Sequence, residues 1–148
     1  MDTAITYERK PWLIRGISLF GIAWNAYGIQ QFTASLGKGS NSMMDYAGMT
    51  AEQAMVMNTL PIWMTVAFAA GVFGGLAGSI LLFLRKKQAE PVFHISLVSY
   101  IGLYIGDIVN GVFEALGMQQ VIILSTVVAI ASGFSFISRR LNHEGKLA

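Results

Sequence analysis

Residues 61–84 carry no charge, and "AFAAGVFGGLAGSILLFL" within them would be apolar on every face of a helix. A run of that length leaves few folds open. A membrane-crossing helix needs roughly 20 mostly apolar residues, and in lipid its backbone polar groups must be satisfied internally. Three further windows have similar character, at about 12–32, 92–116 and 121–137. Composition points the same way, with 54% hydrophobic and 12% charged residues against roughly 25% charged in soluble domains. The chain of 148 residues is therefore expected to form one all-α domain. It would be an integral membrane four-helix bundle with spans at about 12–32, 61–84, 92–116 and 121–137.

The charges order these spans. Of the ten Lys and Arg residues, all but Lys38 fall in three places: Arg9, Lys10 and Arg15 before or at the start of the first window, Arg85, Lys86 and Lys87 between the second and third, and Arg139, Arg140 and Lys146 after the fourth. Basic residues collect on the cytoplasmic side. Both chain ends are therefore expected to be cytoplasmic, which requires an even number of spans. The pI near 9.0 reflects this topology. The cations are not interleaved with aromatics, so no nucleic-acid partner is expected; the expected surroundings are the lipid bilayer. "FTASLG" faintly resembles a processing site after a signal peptide. The first window is long for one and contains Asn25, so it is read as a retained span.

The long outer loop, 33–60, contains a T-x-x-Q capping box at Thr50 and Gln53. It predicts a short helix at about 51–59 lying on the membrane surface, with Pro61 in the first turn of the second span. Tyr7, Trp12, Tyr46 and Trp63 fall where interfacial aromatic belts are expected. Within the second span, Gly71 and Gly75, and Gly74 and Gly78, form small-xxx-small rows that let backbones approach closely. They serve packing within the bundle or contact with a second copy.

Asp107, Asn110, Gly111 and Glu114 stand at i, i+3, i+4 and i+7 of the third window, with Ser96, Tyr100 and Tyr104 continuing that face backwards. A carboxylate at mid-bilayer costs about 2.5–3.5 kcal/mol on insertion scales, so this stripe must face the bundle, water or a partner. Asp107 would lie roughly 10 Å deeper than Glu114 at a helical rise of 1.5 Å per residue. Asn25 and Tyr104 are its expected partners, with Gln30 and Gln31 beside Glu114 at an outer mouth. Two readings follow. In one, the Asp107–Asn25 bond fixes helix register; in the other, the acids line a proton or solute path.

Other chemistry is sparse. There is no Cys, hence no disulfide, thiol or Cys-based metal chemistry. His94 and His143 are read as interface histidines. Met43, Met44, Met49, Met55 and Met57 are read as flexible apolar packing rather than a soft-metal site. No catalytic set, phosphate loop, cofactor motif or metal motif is present. "IAWNAYG" (22–28), "LPIW" (60–63), "GVFGGLAGSILLFLRKK" (71–87) and "AEPVFHISL" (89–97) together resemble a group of small four-span bacterial inner-membrane proteins, some loosely labelled as sugar transporters. That resemblance implies the same architecture and location and supplies no mechanism. Those proteins carry an Asp-Tyr pair soon after the W-N-x-x-G element; here Gln31-Phe32 stand there and Asp45-Tyr46 come later. The expected role is a non-enzymatic accessory or scaffold subunit, in a homo-oligomer or a larger membrane complex. The alternative is a small-solute or proton-coupled permease acting as an oligomer, with Asp107 as its coupling site.

Overall fold

A computed structural model describes residues 11–36 and 48–148, and these form helices joined by turns with no strand. Tyr7, Arg9, Lys10, Lys38, Met43, Met44, Asp45 and Tyr46 lie outside the described residues. The helices are α1 (Pro11–Ser35), α2 (Ala51–Asn58), α3 (Ile62–Phe83), α4 (Ala89–Val109), α5 (Val112–Leu116) and α6 (Met118–His143). Of these, α3, α4 and α6 are long and apolar enough to cross a membrane. Although α1 is 25 residues long, Arg15, Asn25, Gln30 and Gln31 dilute it, and it is not among the three. Each of the three leaves most of its surface uncovered, as lipid-facing helices do.

Glycine decides how the helices meet. On α3, Gly71, Gly74 and Gly78 turn towards α4, where they face Tyr100, Ser96 and Phe93 in descending order. A Cβ at Gly71 would come within 2.6 Å of the Tyr100 ring, and one at Gly78 within 2.9 Å of Phe93. The Ser96 hydroxyl crosses this seam and donates to the Gly71 carbonyl at 2.7 Å. Gly75 turns the other way, towards α1, and a Cβ there would run into the Asn25 amide. Gly21 and Gly28 of α1 meet Ser79 and Val72 of α3 in the same antiparallel register. Small residues at both seams let the backbones approach, so dispersion contacts replace the hydrophobic drive that lipid cannot supply. Both expected glycine rows are thus occupied within the fold, although the split is Gly71, Gly74 and Gly78 against Gly75.

Apolar side chains fill the space beside these seams. Phe32, Val72 and Tyr100 form one buried cluster. Leu82, Ala89, Phe93, Phe134 and Leu147 form another near the α3–α4 connector. There, Lys86 N–H bonds to Leu81 O and Arg85 N–H to Leu82 O, the two closures of a Schellman motif. Arg85 takes the left-handed position at φ 56°, where glycine is the usual residue. The end of α6 closes in the same way around Gly145, and the chain then returns to this connector. Ala148 N–H donates to Arg85 O at 2.7 Å, and Lys87 N–H donates to Ala148 O at 3.0 Å.

Three sequence expectations change. The helix expected over 92–116 ends at Val109, because Asn110 caps it and Gly111 adopts φ 71°. A five-residue helix, α5, follows before Gly117 at φ 72° starts α6. Two glycines in the left-handed region, where side-chain-bearing residues are disfavoured, outweigh the apolar character of the stretch. The fourth window also extends beyond 121–137 at both ends, so that Gln119 and Gln120 become helical. The short loop helix appears as expected, with the Thr50–Gln53 capping box fully formed, but Pro61 sits at the N-cap of α3 rather than in its first turn.

Candidate functional site

The last turn of α4 carries Asp107, 3% exposed. Gly106 beside it lies against Trp63 and Met64 of α3, so α4 approaches α3 closely there and Asp107 is turned towards α6. Its partner is Gln120, whose Nε2 donates to Asp107 Oδ2 at 2.9 Å. The two residues meet because α4 and α6 run antiparallel, a pairing that continues with Tyr104 and Ser125 and ends with Phe93 and Phe134. The Ser125 hydroxyl donates weakly to Tyr104 Oη at 3.4 Å, and the Tyr104 ring packs edge-on against Phe113 of α5.

The expected Asp107–Asn25 bond is replaced by this pair. Asn25 is buried but on the far side of α3, where its Nδ2 donates to Gly21 O one turn back in α1 at 2.8 Å. The cause is helix order. α1 packs on α3, α3 on α4, and α4 on α6, so α3 stands between Asn25 and Asp107. The expected outer mouth is not assembled either. Glu114 is exposed on α5, and Gln30 is exposed and Gln31 half-buried on α1. Because the helix breaks at Asn110, Glu114 leaves the face that Asp107 occupies.

Asn110 is half-buried and closes the helix end. Its Nδ2 donates to Gly106 O at 2.8 Å and reaches Met64 Sδ at 3.4 Å. α2 caps this end through Gln53. The Gln53 Oε1 accepts from Thr50 N–H, while Nε2 donates to Ala115 O of α5 at 3.0 Å. The resulting site is a buried carboxylate held by one amide, beneath a broken helix and a short capping helix. Its groups can accept and donate hydrogen bonds. Among the described residues, no cluster of three or more His, Asp or Glu that could hold a metal ion is formed.

Gln120 is the site residue that the sequence reading misses, since the fourth window begins at 121, one residue beyond it. Gly117 three residues earlier was the available signal: a glycine N-cap there starts α6 at Met118 and puts Gln120 in its first turn. A cavity of about 440 Å³ lies elsewhere, between α1 and α6, lined by residues such as Leu13, Gly16, Phe20, Gly133 and Phe134. Asp107 does not line it. No protein-family model, curated protein or solved structure matches the chain.

Proposed function

We propose that this chain is a four-span protein of the bacterial inner membrane, both ends cytoplasmic, serving as a non-enzymatic accessory or scaffold subunit. α1 is the first span in this reading. Its 25 residues reach about 37 Å at 1.5 Å per residue, beyond the roughly 30 Å hydrocarbon core. Its most costly mid-helix polar group, Asn25, is turned into the protein and bonded. The bias of basic residues supports the orientation, α2 then lies on the outer surface, and the resemblance noted above supports the location.

One observation carries the accessory role. Among the described residues, no buried side-chain nitrogen or oxygen lacks a hydrogen-bond partner. Buried polar groups left open for a solute or proton would be costly without water, whereas bonded ones fix helix register. Asp107 belongs to the bonded set. A second reading, the permease, is favoured by the break at Asn110 and Gly111. Interrupted helices with a nearby acid mark ion and solute sites in transporters, and Asp107 stands in the turn just before the break.

Flux into proteoliposomes holding the pure protein separates the two. The accessory reading expects proton and sugar flux equal to empty vesicles, both for the native chain and for Asp107→Asn. Flux in the native chain that Asp107→Asn abolishes, with the variant still folded, would establish the permease instead.

A further inference from the structure

Among the described residues, positive φ is held by Gly48, Gly111, Gly117, Gly145 and one residue that is not glycine, Arg85 at φ 56°. A side chain in the left-handed region is disfavoured, and such positions collect where a ligand is clamped or a function requires them. The Schellman closure at the end of α3 accounts for the backbone there, and glycine would serve it without strain. It does not account for the arginine.

Nor does a partner within the chain. The acids around this turn are already engaged. Glu144 pairs with Arg140 and Lys146, and Glu90 accepts from the Asn142 amide. Among the described residues, no ion pair is formed by Arg85, Lys86, Lys87 or Arg139. The turn that carries the first three is pinned. Arg85 O and Lys87 N–H both bond to Ala148, and Leu147 beside it is buried. Three cations therefore sit on a fixed backbone without a counter-anion.

The surface next to them is carbon. Leu84, which precedes Arg85, is 57% exposed, and Ile80 one turn back is 43% exposed. A free phosphate or a nucleic acid would meet the cations and leave this carbon in water. A phospholipid uses both, with its phosphate on the guanidinium fork and its acyl chains along α3. Uncompensated positive charge also selects a headgroup without an ammonium of its own, as basic sites at the ends of spanning helices do.

We infer that Arg85, with Lys86 and Lys87, holds the phosphate of an anionic phospholipid at the α3–α4 turn. The site goes beyond the accessory reading and rests only on α3 and α4 crossing a bilayer, whichever way the chain is oriented.

The test uses the purified full chain in mild detergent, where insertion direction plays no part. It is given equal amounts of phosphatidylglycerol and phosphatidylcholine with the same acyl chains, and retained lipid is read by native mass spectrometry. Wild type should prefer phosphatidylglycerol at least several-fold. Arg85→Gly should lose most of that preference while melting no lower than wild type, since glycine adopts this φ freely. Arg15→Gln should keep it. That variant removes one charge at the same end of the bundle, where Ile14 and Ile17 pack on the Leu82 cluster. Equal retention of both lipids by wild type, or a preference unchanged in Arg85→Gly, overturns the site. An equal loss in Arg15→Gln also overturns it, reducing the effect to general surface charge. Displacement of the lipid by inorganic phosphate at the same concentration assigns the cations to a free anion and overturns the lipid. Should Arg85→Gly melt lower or not fold, Lys86→Gln with Lys87→Gln, both exposed, is read in its place with the same expected loss. A chain soluble without detergent would refute the membrane placement, and the lipid site with it.

Discussion

Where α3 turns into α4, the bundle is shut by hydrocarbon and backbone with one side-chain bond, from the Asn142 amide to Glu90; where α4 turns towards α6, it is shut by side-chain amides. At the first end, Leu82, Ala89, Phe93, Phe134 and Leu147 pack together, and residues 145–148 bond along the connector. At the second, closure depends on Gln120 with Asp107, Asn110 with Gly106 and Met64, and Gln53 with Ala115. The backbone differs correspondingly. At the first end, Arg85 and Gly145 each close one helix at positive φ, whereas the second end passes through two positive-φ glycines, Gly111 and Gly117, within seven residues of one connection. Apolar packing is a sum of many small contacts and responds to lost volume, while a buried amide–carboxylate pair responds to loss of either partner and not of both. The first end is built for stability. The second is where a change in protonation or partner would be felt.

The largest expected effect lies at the hydrocarbon end. Leu147→Ala removes a side chain that is 3% exposed and leaves a cavity beneath Phe93 and Phe134. Such truncations cost 2–5 kcal/mol in packed cores, and about 2–3 kcal/mol is expected here because the returning segment can partly collapse. Reversible unfolding in mixed micelles measures it. A cost below about 0.5 kcal/mol, the size of a typical surface substitution, would show that the returning segment is not part of the core. The contrast between the ends would then be lost.

Gln120→Leu probes the other end. It keeps bulk but leaves Asp107 buried without its donor, for an expected loss of about 1–3 kcal/mol. Replacing both, as Asp107→Leu with Gln120→Leu, should recover most of that loss, since apolar replacement of a whole buried pair is often nearly neutral. A double variant no more stable than Gln120→Leu alone would show that Asp107 has other partners, and would move this end towards the permease reading.

How much of this was legible from the residues differs between the same two regions. The windows, the glycine seams and the Thr50–Gln53 cap are local patterns, set by hydropathy over 20 residues or by spacings of three and four. The seams and the cap survive in the folded chain, and three of the four windows contain helices apolar enough to cross a membrane, with that of the third window cut short at Val109. The site depended on long-range placement. Nothing in the spacing of Asp107, Asn110 and Glu114 shows that α3 separates Asn25 from Asp107, because helix order around a bundle is not a periodic signal. The break was locally encoded but outvoted. Gly111 and Gly117 are both left-handed, yet a glycine inside an apolar run is common in membrane helices, where packing makes it useful. Treating the pair as a turn, rather than Gly111 as one position of a continuous polar face, shortens the third window and brings Gln120 into view.

The smallest effect sharpens the hydrocarbon end rather than breaking it. Glu144, just past α6, accepts from Lys146 and from Arg140 Nε at 2.9 Å. Its carboxyl is held below the usual glutamate range, first by the hydrogen bond from Lys146 and then by that from Arg140, with their charges adding to this against an opposing effect of desolvation. A carboxylate whose folded pKa lies below its unfolded one adds stability that is present above the unfolded value, roughly 4.3, and is lost as pH falls through the folded value. Because the group is solvent-exposed, the gain is slight and screened by salt. Melting temperature compared at about pH 7 and below pH 4 should therefore fall slightly more for the native chain than for Glu144→Gln, and the gap should narrow in high salt. Equal falls for both chains would mean that these charges contribute nothing to holding the turn around Gly145, leaving that task to Leu147, the backbone bonds and the Asn142–Glu90 bond.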